Sequence, residues 1–463
     1  MRLGRLSRCL AAACALAFAA PLGCTSYAPQ PLDEWVRAGL ARPSSDALAF
    51  RARDLRHPLL RPVALDEGDG LSPDEAAVFA VLVNPTLRAA RTARGLAAAQ
   101  VVQAGILPNP QLSYYLQPPF PTTQPGGLLN GYGLTLSWQV EALISRGARV
   151  EAAERQGQSV ALDVAWQEWL VAERAKLAVG RLASLRAQLA LAAEVEAGLL
   201  KNEALVQGAL GEGLLTALEL SAARTASTDA RAARRALETQ VETERLALNA
   251  ALGLAPAVEV ALQPTAPPGP TASAAPPTLA RLLDGLERRR LDLAALRRGY
   301  EAQEERVRAA VLGQFPAVNL GLQGQQDTGG ITSLGFGVTV DIPLFDRNQG
   351  AIAAERATRT RLRDEYAARL FAARNDIATL LVALRGSEAQ LEIARAATPR
   401  LERLVTIYRR AVGQGQADVL SYCQAWGELN RNRLGILALE RTRLEARVAL
   451  ELAAGIYDLE ATP

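Results

Sequence analysis

Two stretches of strict apolar–polar alternation, each caught between long helical patterns, constrain this chain more than any other feature. In the later one, Val318, Leu320 and Leu322 alternate with Asn319, Gly321 and Gln323; after a turn over 327–330, Leu334, Phe336, Val338, Val340 and Ile342 alternate with Ser333, Gly335, Gly337, Thr339 and Asp341. A period of two over this length means strands with one apolar and one polar face. The earlier stretch has Leu112, Tyr114 and Leu116, then Tyr132, Leu134, Leu136, Trp138 and Val140 alternating with Gly131, Gly133, Thr135, Ser137 and Gln139. Leu143-Ile144-Ser145-Arg146 recurs as Leu344-Phe345-Asp346-Arg347 at an offset of 201, and Gly211-Glu212-Gly213 recurs as Gly413-Gln414-Gly415 at an offset of 202. Leu252-Gly253-Leu254 recurs as Ala454-Gly455-Ile456, also at 202. The chain is an internal duplication, each half reading helix, strand, strand, helix, helix.

The expected division is a signal segment over 1–23, an extended arm over 24–71, and a first repeat over 72–263 with a hairpin at 110–140. A Pro-rich linker over 264–277, a second repeat over 278–457 with a hairpin at 316–342, and a tail over 458–463 complete it. Arg2, Arg5 and Arg8, a short apolar run and small residues up to Cys24 make a secretory signal. Leu22-Gly23-Cys24-Thr25 is similar to the end of a bacterial lipoprotein signal, with Cys24 as the lipidation (palmitate) site; ordinary cleavage near Ala20 is the alternative. Ser72-Pro73-Asp74-Glu75 supplies a helix N-cap, a proline at the first helical position and early acids. From 146 to about 207 there is no proline, and such a run makes a helix of roughly 90 Å. The stretch from 348 to 412 repeats it, with Pro399 as the expected kink, and return helices are expected over 216–251 and 417–456.

Composition excludes several classes. Without residues 1–23 the 51 basic side chains fall to 48, matching 48 acidic ones, so no nucleic-acid partner is expected. His57, in the Pro/Arg-rich arm, is the single histidine and is expected to be solvent-exposed; Met1 is the only methionine, and Cys423 is the only cysteine of the body. Clustered soft ligands and a phosphate-cradling loop are therefore missing, so no metal, cofactor or enzyme is expected. Charge pairs such as those over 301–305 read as a solvated helix face.

Four strands cannot close on themselves in one chain, whereas three chains would supply twelve, enough for a membrane barrel. The lipid face would then be Tyr132, Leu134, Leu136, Trp138, Val140, Leu334, Phe336, Val338, Val340 and Ile342, with Tyr114, Tyr115, Tyr132, Trp138 and Phe336 as candidate aromatic girdles. Together, the repeat, Asn84-Pro85, Pro108-Asn109-Pro110, the run Ile342-Pro343-Leu344-Phe345-Asp346-Arg347-Asn348-Gln349-Gly350 and the run from Tyr408 to Leu420 resemble the TolC-like outer-membrane efflux proteins. The 342–350 run looks most like the heavy-metal efflux subgroup. The resemblance implies a mainly α fold with transmembrane β: duplicated long coiled helices forming a periplasmic tunnel, and a homotrimeric twelve-stranded barrel in outer-membrane lipid. It also implies a passive exit duct for small solutes, with metal ions among them by the subgroup resemblance, docked to a periplasmic adaptor (membrane fusion) protein and an inner-membrane pump of the resistance-nodulation-division type. The same resemblance makes Asp418, with Glu219 of the first half, the periplasmic gate; Asp418 acting only as a helix cap is the alternative. Drug efflux, type I protein secretion, and a soluble periplasmic coiled-coil scaffold remain alternative functions.

Overall fold

A computed structural model describes residues 26–33, 45–66, 68–120, 127–263, 277–414, 416–457 and 459. Cys24 and the 1–23 segment lie outside the described residues. The chain divides into a short unit, Met1–Arg42, and a body, Pro43–Pro463. The body runs α1 (Ser45–Arg53), α2 (Pro73–Val83), α3 (Pro85–Gly105), β1 (Gln111–Gln117), β2 (Gly131–Gln139), α4 (Ala142–Gly211) and α5 (Ala217–Leu252). The second half follows as α6 (Leu279–Leu283), α7 (Leu286–Arg289), α8 (Leu291–Leu312), β3 (Ala317–Gln326), β4 (Thr332–Asp341), α9 (Gln349–Gly413) and α10 (Val419–Ala454).

Local chemistry accounts for the breaks. Ser72 accepts from the Glu75 N–H at 3.2 Å while Glu75 accepts from the Ser72 N–H at 2.9 Å, a capping box with Pro73 at the first turn. Asn84 ends α2 and starts α3: its side chain accepts from the Thr86 N–H at 2.9 Å and donates to the Ala251 carbonyl at 2.8 Å. The 70 residues of α4 amount to about 105 Å of helix, and α9 continues as one helix through Pro399. Helices α5 and α10 both stop at a left-handed glycine, Gly253 (φ 73°) and Gly455 (φ 64°), at equivalent places in the two halves. A Cβ on Gly253 would sit 2.7 Å from Pro85 Cδ, so the end of α5 closes against the start of α3.

The core is concentrated where the helix ends of the two halves come together. Helix α2, buried from Ala76 to Val83, packs on Ala175, Val179 and Leu182 of α4 and on Leu248 and Leu252 of α5. The matching cluster of the second half joins Leu282 and Leu286 to Ile377, Leu381 and Leu450. Trp169 of α4 bridges them through the Tyr457 ring, 5.9 Å away. Elsewhere the long helices pair along alanine-rich seams.

Two expectations change here. The 24–71 stretch is not wholly extended, because 45–53 is helix α1. His57 is not a solvent residue: its side chain is 2% exposed. Its Nε2 lies 3.0 Å from the Ala165 carbonyl, and its Nδ1 accepts from the Leu59 and Leu60 N–H groups at 3.1 and 3.0 Å. Those bonds require the neutral tautomer, and burial lowers the ring's pKa in the same sense. The arm needed a polar staple that could satisfy backbone groups on both sides, a role with no sequence signature.

A buried ionic group ties the halves. Lys176 of α4 meets Glu451 of α10 at 2.9 Å, Arg447 meets the same carboxylate at 3.2 Å, and the Tyr457 hydroxyl donates to Asp74 at 2.7 Å. Glu173, 2% exposed, has no hydrogen-bond partner for either carboxylate oxygen. Burial pushes its carboxyl up to about 8; the Lys176 ammonium opposes the shift, and the Glu451 and Asp74 charges add to it. A folded-state value above the unfolded one means the folded chain holds the extra proton. Stability is then full below about pH 4.5 and declines until pH passes about 8. Glu173→Gln is expected to raise the melting temperature at pH 8.5 by an amount corresponding to a few kcal/mol and to change it little near pH 4.5, read by circular dichroism.

Candidate functional site

Helices α4 and α9 hand over to α5 and α10 at two turns, and the caps of those turns are built from the same chemistry exchanged. In the first, Thr216 is the N-cap: Glu219 accepts from the Thr216 N–H at 2.7 Å and from its hydroxyl at 2.8 Å. In the second, Asp418 is the N-cap, accepting from the Ser421 N–H at 2.6 Å and its hydroxyl at 2.9 Å. Each turn thus carries one hydroxyl and one carboxylate in reversed order, at the same repeat positions. Bonds from Thr216 hold the Glu219 carboxyl below its usual range, with the Asp418 charge pushing back. Bonds from Ser421 lower Asp418 likewise. Both are therefore ionised at neutral pH, and the capping role of each is present in the structure.

Behind these caps lies a groove of about 260 Å³ between α4, α5 and α10, lined by Leu199, Val206, Ala223, Val419, Cys423 and Arg431 among others. Leu214 and Leu218 stand exposed on the turn beside it. The Cys423 thiol is half-buried, and burial pushes it up, away from the reactive thiolate form.

Contact between α4 and α10 is set by two glycines. A Cβ on Gly198 would lie 2.3 Å from Trp426 Cη2, and one on Gly180 would lie 2.2 Å from Leu444 Cδ2. Glycines that look like interruptions of a helical pattern are sockets for a large side chain of the other half. Pairs of equal sequence pattern give no warning of this, because the partner lies more than two hundred residues away.

The strands form one antiparallel sheet in the order β1-β2-β3-β4, so that β2 pairing with β3 joins the two halves. Register puts Leu112 opposite Leu136, Leu136 opposite Leu322, and Leu322 opposite Phe336, one apolar row across all four strands. Tyr132, Leu134, Trp138, Leu334, Val338 and Val340 fall on the same face, while Val140 and Ile342 extend it beyond the strand ends. The Trp138 indole N–H donates to the Pro108 carbonyl at 2.8 Å. Tyr115 does not belong to this face. It lies across Gly133, where a Cβ would sit 2.2 Å from its ring, and its hydroxyl donates to Gln325 at 2.8 Å. Alternation places it on the polar side, so it is removed from the candidate girdle.

Among the described residues no helix is long and apolar enough to cross a membrane, and no group of three His, Cys, Asp or Glu side chains is placed to hold a metal ion.

Residues 282–456 match the family model described as outer membrane efflux protein. A membrane protein from Pseudomonas aeruginosa is similar in structure at 20% identity, with a TM-score of 0.71 over 86% of this chain and 94% of that one. The outer membrane protein VceC from Vibrio cholerae is similar at 19% identity and a TM-score of 0.68, covering 83% and 97%. The Campylobacter jejuni CmeC outer membrane channel is similar at 14% identity and a TM-score of 0.69, covering 96% of each. No curated protein sequence matches the chain. The fold is the one shared by these solved membrane proteins, and residues 282–456 carry the sequence pattern of the outer membrane efflux protein family.

Gly198→Ala is expected to destabilise the packing of α4 on α10 by about 1–3 kcal/mol through overpacking against Trp426. Adding Trp426→Ala should recover part of that loss, a non-additivity measured in a double-mutant cycle of thermal stability.

Proposed function

We propose that this chain is one third of an outer-membrane exit duct of a tripartite efflux system. One observation carries the reading. A four-stranded sheet with an apolar face, an opposite polar face whose one acid is Asp341 at the end of β4, and two open edges is carried on helices of about 100 Å. Among the described residues nothing covers the row Leu112, Leu136, Leu322 and Phe336, and hydrocarbon does not tolerate unpaired strand edges, so in lipid the sheet must close. Three copies supply twelve strands and close the edges, with the apolar rows toward lipid and the Ser/Thr/Gln/Gly rows toward water. Helices α4, α5, α9 and α10 of three copies then make a twelve-helix periplasmic tunnel.

At the far end, Asp418 and Glu219 of three copies bring six carboxylates to the mouth, a cation-selective constriction that gates as the tip helices move. The exposed Leu214 and Leu218 beside them fit docking of a periplasmic adaptor, which in turn engages a pump of the resistance-nodulation-division type. The duct itself is passive, and its cargo is small solutes; the 342–350 loop favours metal ions among them. Lipidation at Cys24 would add a second attachment to the same membrane.

The mature protein should fractionate with outer membranes, require detergent, and run as a heat-modifiable trimer; a monomer soluble without detergent would end this reading in favour of a scaffold. Asp418→Asn with Glu219→Gln keeps capping oxygens at both turns but removes the charge. In planar bilayers under a salt gradient that pair is expected to move the reversal potential toward zero at unchanged thermal stability. An unaltered reversal potential would leave the two residues as caps only.

A further inference from the structure

We propose that the strand-to-helix junctions of both halves form a collar for the lipid headgroup boundary. In this collar Leu143, Ile144, Leu344 and Phe345 seat in the leaflet beneath the barrel while Arg146 and Arg347 hold lipid phosphates. The inference rests on the sheet spanning the membrane and adds to it a second surface, outside the strands.

The later junction is a built structure that holds apolar side chains out. Phe345 is 92% exposed, Leu344 68% and the preceding Ile342 73%. Yet the backbone around them is fastened at every step. The Asn348 N–H donates to Asp346 at 2.8 Å, the Arg347 N–H to the Gln349 side chain at 2.6 Å, and Gln349 Nε2 to the Phe345 carbonyl at 3.1 Å. Asn348 is the one non-glycine with positive φ (58°) among the described residues, and its Nδ2 donates to the Ala310 carbonyl of α8 at 2.8 Å. Asparagine adopts the left-handed region readily, and here its side chain also fixes the turn to α8. A loop so fixed does not present a phenylalanine to water by accident of mobility.

The first half repeats the design with different side chains. Leu143 and Ile144 are exposed at the equivalent junction, turned by bonds from their N–H groups to the Val140 and Glu141 carbonyls at 3.1 and 2.9 Å. In both halves an arginine follows within three residues, its Nε held on a backbone carbonyl: Arg146 on Gly105 at 2.8 Å and Arg347 on Pro343 at 3.3 Å. The outer guanidinium N–H groups of both make no hydrogen bond among the described residues. Asp346, the nearest acid in sequence, is engaged by the Asn348 N–H. Apolar side chains continuous with the lipid-facing row, followed on the helix side by a cation, reproduce the order of acyl chain and phosphate. That order, with the charge of the arginines, selects a lipid surface as the occupant.

The test uses the full chain with its native cysteines changed to serine, a nitroxide attached at a single cysteine in place of residue 345 or 144, and vesicles of phosphatidylethanolamine and phosphatidylglycerol. Reference labels replace Phe336 on the sheet and Phe371, 70% exposed on α9. Labels at 345 and 144 should be accessible to oxygen and shielded from a nickel chelate, at a shallower depth than 336, while 371 is open to nickel. Nickel access at 345 equal to that at 371, with 336 still in lipid, would overturn the collar and leave the barrel reading intact. Shielding from both reagents would overturn it in favour of a second copy covering the junction. Nickel access at 336 would bring down the barrel reading and the collar together. For the arginines, phosphatidylglycerol vesicles should raise the melting temperature of the trimer above its value in galactolipid vesicles, and Arg146→Gln with Arg347→Gln should remove at least half of that difference. A difference unchanged in the double variant would overturn the phosphate contact.

Discussion

Unpaired backbone at the two edges of the sheet is the constraint on which the remainder depends. Strands β1 and β4 each have one neighbour, and among the described residues no further strand pairs with their outer N–H and C=O groups. Water can satisfy such groups, but hydrocarbon cannot, where each orphan costs several kcal/mol. A sheet whose whole apolar face also lacks cover has two outlets: bury the face against other elements, or close with copies of itself in lipid. The first is not taken, since Leu112, Leu136, Leu322 and Phe336 form an exposed row. Under the proposed function the second outlet is taken: each half supplies two strands, joined to the other half through β2 and β3, and copies close the sheet.

The second requirement is that helices of about 100 Å stay aligned when most of their buried core lies in one belt, with a small cluster of Val405, Ala425 and Leu429 toward the α9–α10 turn. Alanine seams give close approach but little specificity along the axis, because one alanine resembles the next. Register is supplied by a few large side chains in glycine sockets, Trp426 at Gly198 and Leu444 at Gly180, and by buried ion pairs such as Lys176 with Glu451. Buried pairs are weak sources of net stability and better sources of alignment, since removing one partner strands the other. Glu173 is the contrary case: neither of its carboxyl oxygens is hydrogen-bonded, and burial favours its protonated form against the pull of the Lys176 ammonium.

Legibility from sequence tracked the range of the interaction. The capping box at Ser72, the break at Asn84-Pro85 and the two hairpins are written within a few residues, and the observed elements follow them closely. His57 reads as a solvent residue because its burial and its bond to the Ala165 carbonyl depend on docking of the arm on α4; only its Leu59 and Leu60 partners are local. Tyr115 is a different case, because its phase is already legible in the alternation. An aromatic residue in an alternating strand suggests a girdle, whereas its phase puts it over Gly133 and within reach of Gln325 of the other half. At the second turn, Asp418 as a cap is legible from its place at a helix start after Gly415, and the bonds it accepts from Ser421 bear that role out. The exchange of acid and hydroxyl between the turns emerges only when both sets of bonds are compared.

By itself the amino-acid order determined the duplication, the period of each segment and the apolar phase of every strand, because these depend on spacing along the chain and on side-chain chemistry alone. Tertiary structure decided which glycines are sockets, which charges are buried, that β2 lies beside β3, and that the apolar residues of the 342–350 loop are held out by a left-handed asparagine. Those outcomes depend on distances between residues far apart in sequence, and no local pattern encodes a distance of that kind.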